Sequence, residues 1–250
     1  MKRTDYTIEV CANSVQSCIA AQQGGADRVE LCAALAEGGI TPSFATIALA
    51  RANTDIALHV IVRPRGGDFL YTALEVTTME ADINAMHSLR VDGVVVGCLT
   101  ADGDIDLRTL DRLMEAAQGL PVTFHRAFDR CRDPLTAVRQ LRAAGVARIL
   151  TSGQQPTAPE GTDLLRQLVS EAGPQLSIMP GCGVNENNIR QLAADTGAHE
   201  FHFSASTPVK SQMHIRNDQV VMGAAGVDEY TCTETSATRV RRTIEALCGK

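Results

Sequence analysis

The sequence contains no apolar run near the roughly 18 residues that a membrane helix needs. It has no apolar signal region either. The amino-terminal "MKRTDYTIEVC" opens with basic residues, but Asp5 and Glu9 break what would have to be a hydrophobic segment. The expected compartment is the cytoplasm, with no membrane partner. There is no C-x-x-C pair among the eight cysteines at positions 11, 18, 32, 98, 131, 182, 232 and 248. That scatter indicates neither a disulfide scaffold nor a zinc ribbon, and most of these thiols read as small buried hydrophobes. A basic excess is also missing: the formal net charge is −6, so nucleic acid is not an expected partner. No G-x-G-x-x-G is present. "GCGVNEN" comes late and lacks the third glycine, so no nucleotide cofactor is indicated. Finally, no Pro-, Ser- or Gly-rich linker divides the chain, and residues 1–250 are expected to form a single domain.

What remains is alternation. Candidate strands cover Thr7–Cys11, Arg28–Cys32, Leu58–Arg63, Gly93–Gly97, Val122–Arg126, Arg148–Ser152, Leu176–Pro180 and Glu200–Ser204. Amphipathic helical patterns lie between them. Val15, Cys18 and Ile19 share one face, as do Met79, Ile83 and Met86, and later Val240, Ile244 and Leu247. Asp133 followed by Pro134 marks a helix start, a capping carboxylate and then a ring that fits the first turn. "GGADRVEL", "AGVARILTS" and "TGAHEFHFS" repeat one element: a glycine, a small residue, two variable positions, then a strand. This is how a helix returns into the next parallel strand, and parallel strands need such crossovers. About eight such units in about 250 residues predict an α/β protein, a (β/α)8 TIM barrel. An open doubly wound sheet is the alternative; it usually has fewer strands and a glycine-rich dinucleotide loop. The one long irregular stretch expected is 207–234, before the last helix.

Strand alternation sorts the side chains. Ile8 and Val10 share a face opposite Glu9 and Cys11; Val29 and Leu31 oppose Glu30 and Cys32. By the same rule His59, Arg63, His125 and His202 join Glu9 and Glu30 on the face that points down a barrel axis, where a purely structural interior would carry branched aliphatics. Burying one unpaired charge costs several kcal/mol, so these groups need opposite charges in contact or an aqueous mouth. A buried ion network that sets strand register would use the same residues. A working pocket is preferred, because the groups come from different strands and converge at the carboxyl end. Glu9, Glu30, His125 and His202 are therefore candidate acid–base residues. Asp129, in the loop after His125, is a candidate to orient His125 or Arg126. Arg126 has the opposite parity and belongs either to the outer face or to the turn, where it is a further candidate to bind an anionic substrate.

The loops add anion chemistry. "RPRGGDFLY" puts Arg63 and Arg65 beside two glycines, a guanidinium clamp for phosphate or carboxylate, or else a tight turn with Arg–Asp pairing. "PGCGVNENNI" contributes Gly181 and Gly183, "SAS" contributes Ser204, and "TSG" contributes Ser152, around the strands where barrels often bind phosphate. A small anionic ligand is thus one expected partner. A metal is another. Cys11 and Cys32 fall on the interior face of adjacent strands, close enough to share an ion, and thiolates suit Cu(I) or zinc. Met213 and His214 form a weaker pair in the long loop.

"DRVELCAALAEGGITPS", "RPRGGDFLY", "PVTFHRAFD", "RILTSGQ" and "MPGCGV" together resemble the CutC family, named for copper homeostasis, and the resemblance runs over nearly the whole chain. It implies a (β/α)8 barrel, a cytoplasmic protein and a homo-oligomer, commonly a dimer. It also implies a role in copper handling with cysteine ligands; Cys32, inside "VELC", carries over best, with Cys11 beside it. Two functions follow. One is copper homeostasis through Cys11 and Cys32. The other is an enzyme or binding protein for a small anionic metabolite, in which Arg63 and Arg65 with the glycine and serine loops hold the anion and Glu9, Glu30 or His125 moves a proton. The charge chemistry favours the second.

Overall fold

The computed structural model describes residues 2–217, 219–220, 222 and 228–249. Eight short strands alternate with helices: β1 (Thr7–Ala12), α1 (Val15–Gly24), β2 (Arg28–Leu31), α2 (Phe44–Asn53), β3 (Ala57–Ile61), α3 (Ala73–Ser88), β4 (Gly93–Val96), α4 (Leu107–Ala117), β5 (Val122–Phe124), α5 (Pro134–Ala143), β6 (Arg148–Thr151), α6 (Thr162–Ala172), β7 (Ser177–Pro180), α7 (Ile189–Thr196) and β8 (Glu200–Phe203). An antiparallel pair, β9 (Ser206–Lys210) and β10 (Thr231–Thr235), then leads into α8 (Ala237–Cys248). The ladder is parallel and runs β7-β6-β5-β4-β3-β2-β1-β8, and its two ends, β7 and β8, lie against each other. This is the (β/α)8 barrel that the alternation predicts.

Local chemistry explains the elements. Asp133 accepts a hydrogen bond from the Thr136 N–H and Pro134 occupies the first turn of α5, as its sequence requires. Thr72 and Glu75 form a reciprocal capping box at the start of α3. The outward strand residues Ile8, Val10, Val29, Leu31, Leu58 and Val60 are fully buried and pack with the helices into the main core. The opposite parity turns inward. All eight expected strands are present, most of them shorter by one or two residues at the carboxyl end. There the chain leaves the ladder to build loops.

One difference concerns the stretch after β8. The sequence predicts an irregular stretch over 207–234, of which 218, 221 and 223–227 lie outside the described residues; its two ends instead belong to the β9–β10 ribbon, with Thr207 opposite Glu234. The β-branched Thr207, Val209, Thr231, Thr233 and Thr235 favour strands. The pairing joins segments more than twenty residues apart, so no short-range turn signal announces it. Met213 and His214 sit exposed in this excursion. Among the described residues, no helix is long and apolar enough to cross a membrane.

Candidate functional site

The inward residues form two tiers. The deeper tier is a chain of ion pairs. Arg148 Nε lies 3.2 Å from a Glu200 oxygen, and Arg28 reaches the same carboxylate at 2.6 Å. Arg28 Nε donates to Glu9 at 2.5 Å. The other Glu9 oxygen is 2.7 Å from His202 Nδ1, and His202 Nε2 lies 3.6 Å from Glu30. Arg148 also donates to Thr123. Cation and anion thus alternate from β6 across to β2.

The pattern of charges sets the protonation states. Burial pushes Glu9 up, but the Arg28 charge and the His202 contact outweigh it and hold Glu9 well below the usual carboxylate range. Burial opposes protonation of His202, yet its contacts with Cys11, Glu30 and Glu9 raise it well above the ordinary imidazole value. Glu30 is pushed up to about 7, chiefly by burial and by the like charge of Glu9, against the pull of His202 and Arg28. His59, in the same interior, is pulled down to about 4 by burial and by the two arginines, with Glu9 opposing.

Above this tier lies a cavity of about 490 Å³ at the carboxyl ends of the strands. Its floor is Cys11, Glu30 and His202. Ile61, Arg63, Phe69 and His125 form one wall, and the segments 182–185 and 203–205 form the other. Arg126 and Arg239 stand at its rim. Arg63 is buried and spends both terminal nitrogens on carbonyls, at 2.7 Å to Glu37, 2.9 Å to Gly39 and 2.9 Å to Gly67. Among the described residues no carboxylate pairs with it. Its guanidinium also lies over the Phe69 ring.

β5 ends at Phe124, and His125 caps the short 3-10 turn Arg126–Arg130. That explains the ionisable end of this hydrophobic strand: His125 is a cap whose ring stays in the cavity, and Arg126 belongs to the turn. Burial, then the Arg63 charge, lowers His125 to about 3, so it is neutral at ordinary pH. No hydrogen bond or ion pair joins Asp129 to His125. Asp129 pairs with Arg126 at 2.8 Å and accepts from Thr151, Ser152 and the Gln154 N–H, which staples the loop after β6. Ser152 is consumed there, bonded to Asp129, Arg126 and the Gln155 carbonyl. Arg65 lies on the surface, paired with Glu75 and Asp68 and stacked on Tyr71, away from the cavity. Gly181 is a packing position, where a Cβ would meet Leu150 at 2.4 Å, whereas Gly183 and Ser204 line the cavity.

The thiols also converge. Cys11 Sγ and Cys32 Sγ are 3.9 Å apart. Ligand atoms of Cys11, Glu30 and His202 lie within 4.8 Å of one another, a group able to hold a metal ion. The hydrogen bond to Cys32, then burial, raises the Cys11 thiol well above its usual value.

Sequence reading missed Arg239, which reaches the cavity from α8 through bonds to the Ser206 carbonyl and Glu186. It also missed the counter-ions Arg28, Arg148 and Glu200. A signal for these existed: in the three repeated elements each stands three residues after the turn glycine, at Gly25, Gly145 and Gly197.

A parallel barrel whose charged interior opens into a cavity at the strand carboxyl ends is a TIM-barrel protein whose candidate site lies in the mouth. Among solved structures it is similar to phosphoribosyl anthranilate isomerase from Thermotoga maritima (TM-score 0.61, 11% identity, covering 98% of this chain and 100% of that one), a likeness of fold alone. The chain belongs to the CutC family, whose model matches residues 6–207. It is 56% identical over 244 residues to a family protein CutC from Bacteroides thetaiotaomicron, covering 97% of this chain and 98% of the relative. It is also similar to a structure named for copper homeostasis, CutC from Streptococcus agalactiae, with TM-score 0.76 and 35% identity over 80% of this chain and 98% of that one.

Proposed function

We propose that the barrel mouth binds a small anionic metabolite, bearing phosphate or carboxylate, and acts on it by acid–base chemistry. The observation that carries this reading is the buried Arg63, a cation without a carboxylate partner among the described residues, in the wall of a cavity rimmed by Arg126 and Arg239. A buried unpaired charge is costly, and an anion in the cavity compensates it. The loops after β7 and β8, with Gly183 and Ser204, lie where barrels commonly hold phosphate. A thermal-shift screen with phosphorylated and carboxylated metabolites tests it. Ligand at 100 times its Kd stabilises by about 2.7 kcal/mol, which raises the melting temperature by roughly 5–10 °C in a chain of this size. Arg239→Met should lose more than half of that shift. A panel in which no anion moves the transition removes the reading.

A second reading rests on the sulfur pair. Cys11 and Cys32 present two soft donors, and Glu30 and His202 add oxygen and nitrogen, a set that suits Cu(I) through sulfur or zinc through mixed donors. The donors fit such an ion. The Cys11 proton must leave on binding, and its raised thiol makes binding strengthen as pH rises. Anaerobic competition titration at pH 8 should find one Cu(I) per chain, with affinity down at least about tenfold in Cys32→Ser, a loss of about 1.4 kcal/mol. Substoichiometric uptake, or equal affinity in the variant, discards copper as cargo.

A further inference from the structure

His125 is held along one edge of its ring. Its Nδ1 accepts from the Ala127 N–H at 3.1 Å. A Cβ on Gly97 would fall 2.4 Å from the same nitrogen, so that edge packs against the end of β4. A neutral imidazole that accepts through Nδ1 carries its proton on Nε2. This Nε2 is buried and has no partner among the described residues. Arg63 shows the same feature. Its terminal nitrogens are occupied by carbonyls, yet its buried Nε has no partner among them. The two groups flank one ring: the Phe69 centroid lies 5.1 Å from that of His125 and 5.0 Å from the Arg63 guanidinium carbon. Glu30 completes the set. One of its oxygens faces His202, and the other, Oε1, is buried without a partner. All three residues line the same cavity.

An unsatisfied buried polar atom is costly, and native proteins leave few. Here two donors and one acceptor lack partners on three residues that line one cavity. Two donors suit an oxygen that gains negative charge, as in an oxyanion site. A neutral imidazole donor is suited to polarising a carbonyl, because it gives a hydrogen bond without first giving up a charge.

We propose that this cavity carries out proton transfer at a carbon next to a carbonyl, with Glu30 as the base and the Nε2–H of His125 and Nε–H of Arg63 as the donors that hold the enolate oxygen. The inference rests on the reading of the mouth as a small-anion site and names its reaction class. The Glu30 carboxylate takes the proton from the carbon. The C–H electron pair becomes the C=C bond, and the carbonyl π pair moves onto oxygen, where the two donors receive it. Return of the proton from Glu30 to carbon restores the carbonyl. No oxidant or reductant enters. The substrate class is a hydroxy- or oxo-carbonyl compound whose phosphate or carboxylate reaches Arg126 and Arg239 at the rim.

Solvent-deuterium exchange tests this. The full-length protein is incubated in D₂O with dihydroxyacetone phosphate, glyceraldehyde 3-phosphate or oxaloacetate, and wash-in at the carbon next to the carbonyl is followed by proton NMR. Wild type should exchange at least one probe well above the buffer rate. His125→Asn keeps an acceptor for the Ala127 N–H but no longer reaches the cavity, and should lose about 100-fold. His125→Gln, whose amide extends toward the Nε2 position, should recover part of that loss. Nitrogen-15 NMR of wild type should show a neutral His125 with its proton on Nε2 from pH 6 to 8. A proton on Nδ1, equal exchange in wild type and both variants, or no exchange with any probe overturns the proposal. Thermal shifts with the same three probes then separate the two levels: a shift without exchange keeps the anion site and rejects the chemistry, and no shift rejects both.

Discussion

Arg28→Ala should destabilise the barrel by about 3–5 kcal/mol, lowering the melting temperature by roughly 6–20 °C. Arg28 sits at the first position of β2, and its guanidinium is shared by Glu9 and Glu200. Glu9 has no solvent exposure at all. Deleting the cation leaves that carboxylate charged and dry, and the remaining cation at Glu9, His202, is already shared with Glu30. The size of the effect comes from the stranded partner rather than from the intrinsic strength of the pair, because an ion pair gains little over a well-packed apolar replacement. The double variant Arg28→Met with Glu9→Gln should therefore recover part of the loss. A surface pair supplies the control. Arg112 and Glu80 are 2.7 Å apart but solvent-accessible, so Arg112→Ala should change stability by less than about 1 kcal/mol. Urea unfolding at pH 7.5 measures all three. A loss below about 1 kcal/mol in Arg28→Ala would mean that water or a rearranged carboxylate already neutralises the deep tier.

Acid should weaken the wild-type protein more steeply than His59→Gln. In the unfolded chain His59 titrates at the ordinary 6.5, whereas in the fold burial and the two arginines pull it down to about 4. Above 6.5 the imidazole is neutral in both states and its contribution is fully present. Between 6.5 and about 4 the unfolded chain takes up a proton that the folded chain refuses, so stability falls with pH across that window. At pH 5 the loss from this one group amounts to about 2 kcal/mol. His125, lowered to about 3, works in the same direction. His202 works in the other: its raised pKa gives stability that is complete below 6.5 and is lost as pH rises. The wild-type profile is therefore a sum of opposed limbs, and the variant comparison isolates one of them. Urea unfolding at pH 7.5 and 5.0 is the measurement. Parallel losses in wild type and His59→Gln would show that this ring is accessible to protons in the fold.

Much of the candidate site was legible before any coordinates. The period-two alternation of "TIEVC" and "RVELC" assigns Glu9, Cys11, Glu30 and Cys32 to the inner wall, and they are there. Parity works because a strand offers only two faces, and the helices claim one of them. The loops were less legible. Arg63 and Arg65 are two residues apart in one glycine-rich segment, yet the first is buried in the cavity wall and the second is bound to Glu75 on the surface. Asp129 reads as a partner for His125 or Arg126; it pairs with Arg126 and also holds the loop after β6, which sequence gives no sign of. Loop direction depends on which carbonyls and carboxylates a guanidinium or amide meets, and no short-range pattern encodes that.

The amino-acid order by itself determined the eight strand–helix units, the inner and outer faces and the membership in the CutC family, because these follow from local periodicity and from long matched segments. Tertiary structure alone decided which charges cancel and which stay open. Glu9 and His202 are 193 residues apart and 2.7 Å from each other. Closing the ring brings β1 beside both β2 and β8, so Arg28 and His202 occupy the two Glu9 oxygens, while Arg63 Nε, His125 Nε2 and one oxygen of Glu30 stay without partners on residues that line the cavity. Pairing between charges falls off with distance through a low-dielectric interior, and that distance is a property of barrel closure, to which no local stretch of sequence is sensitive.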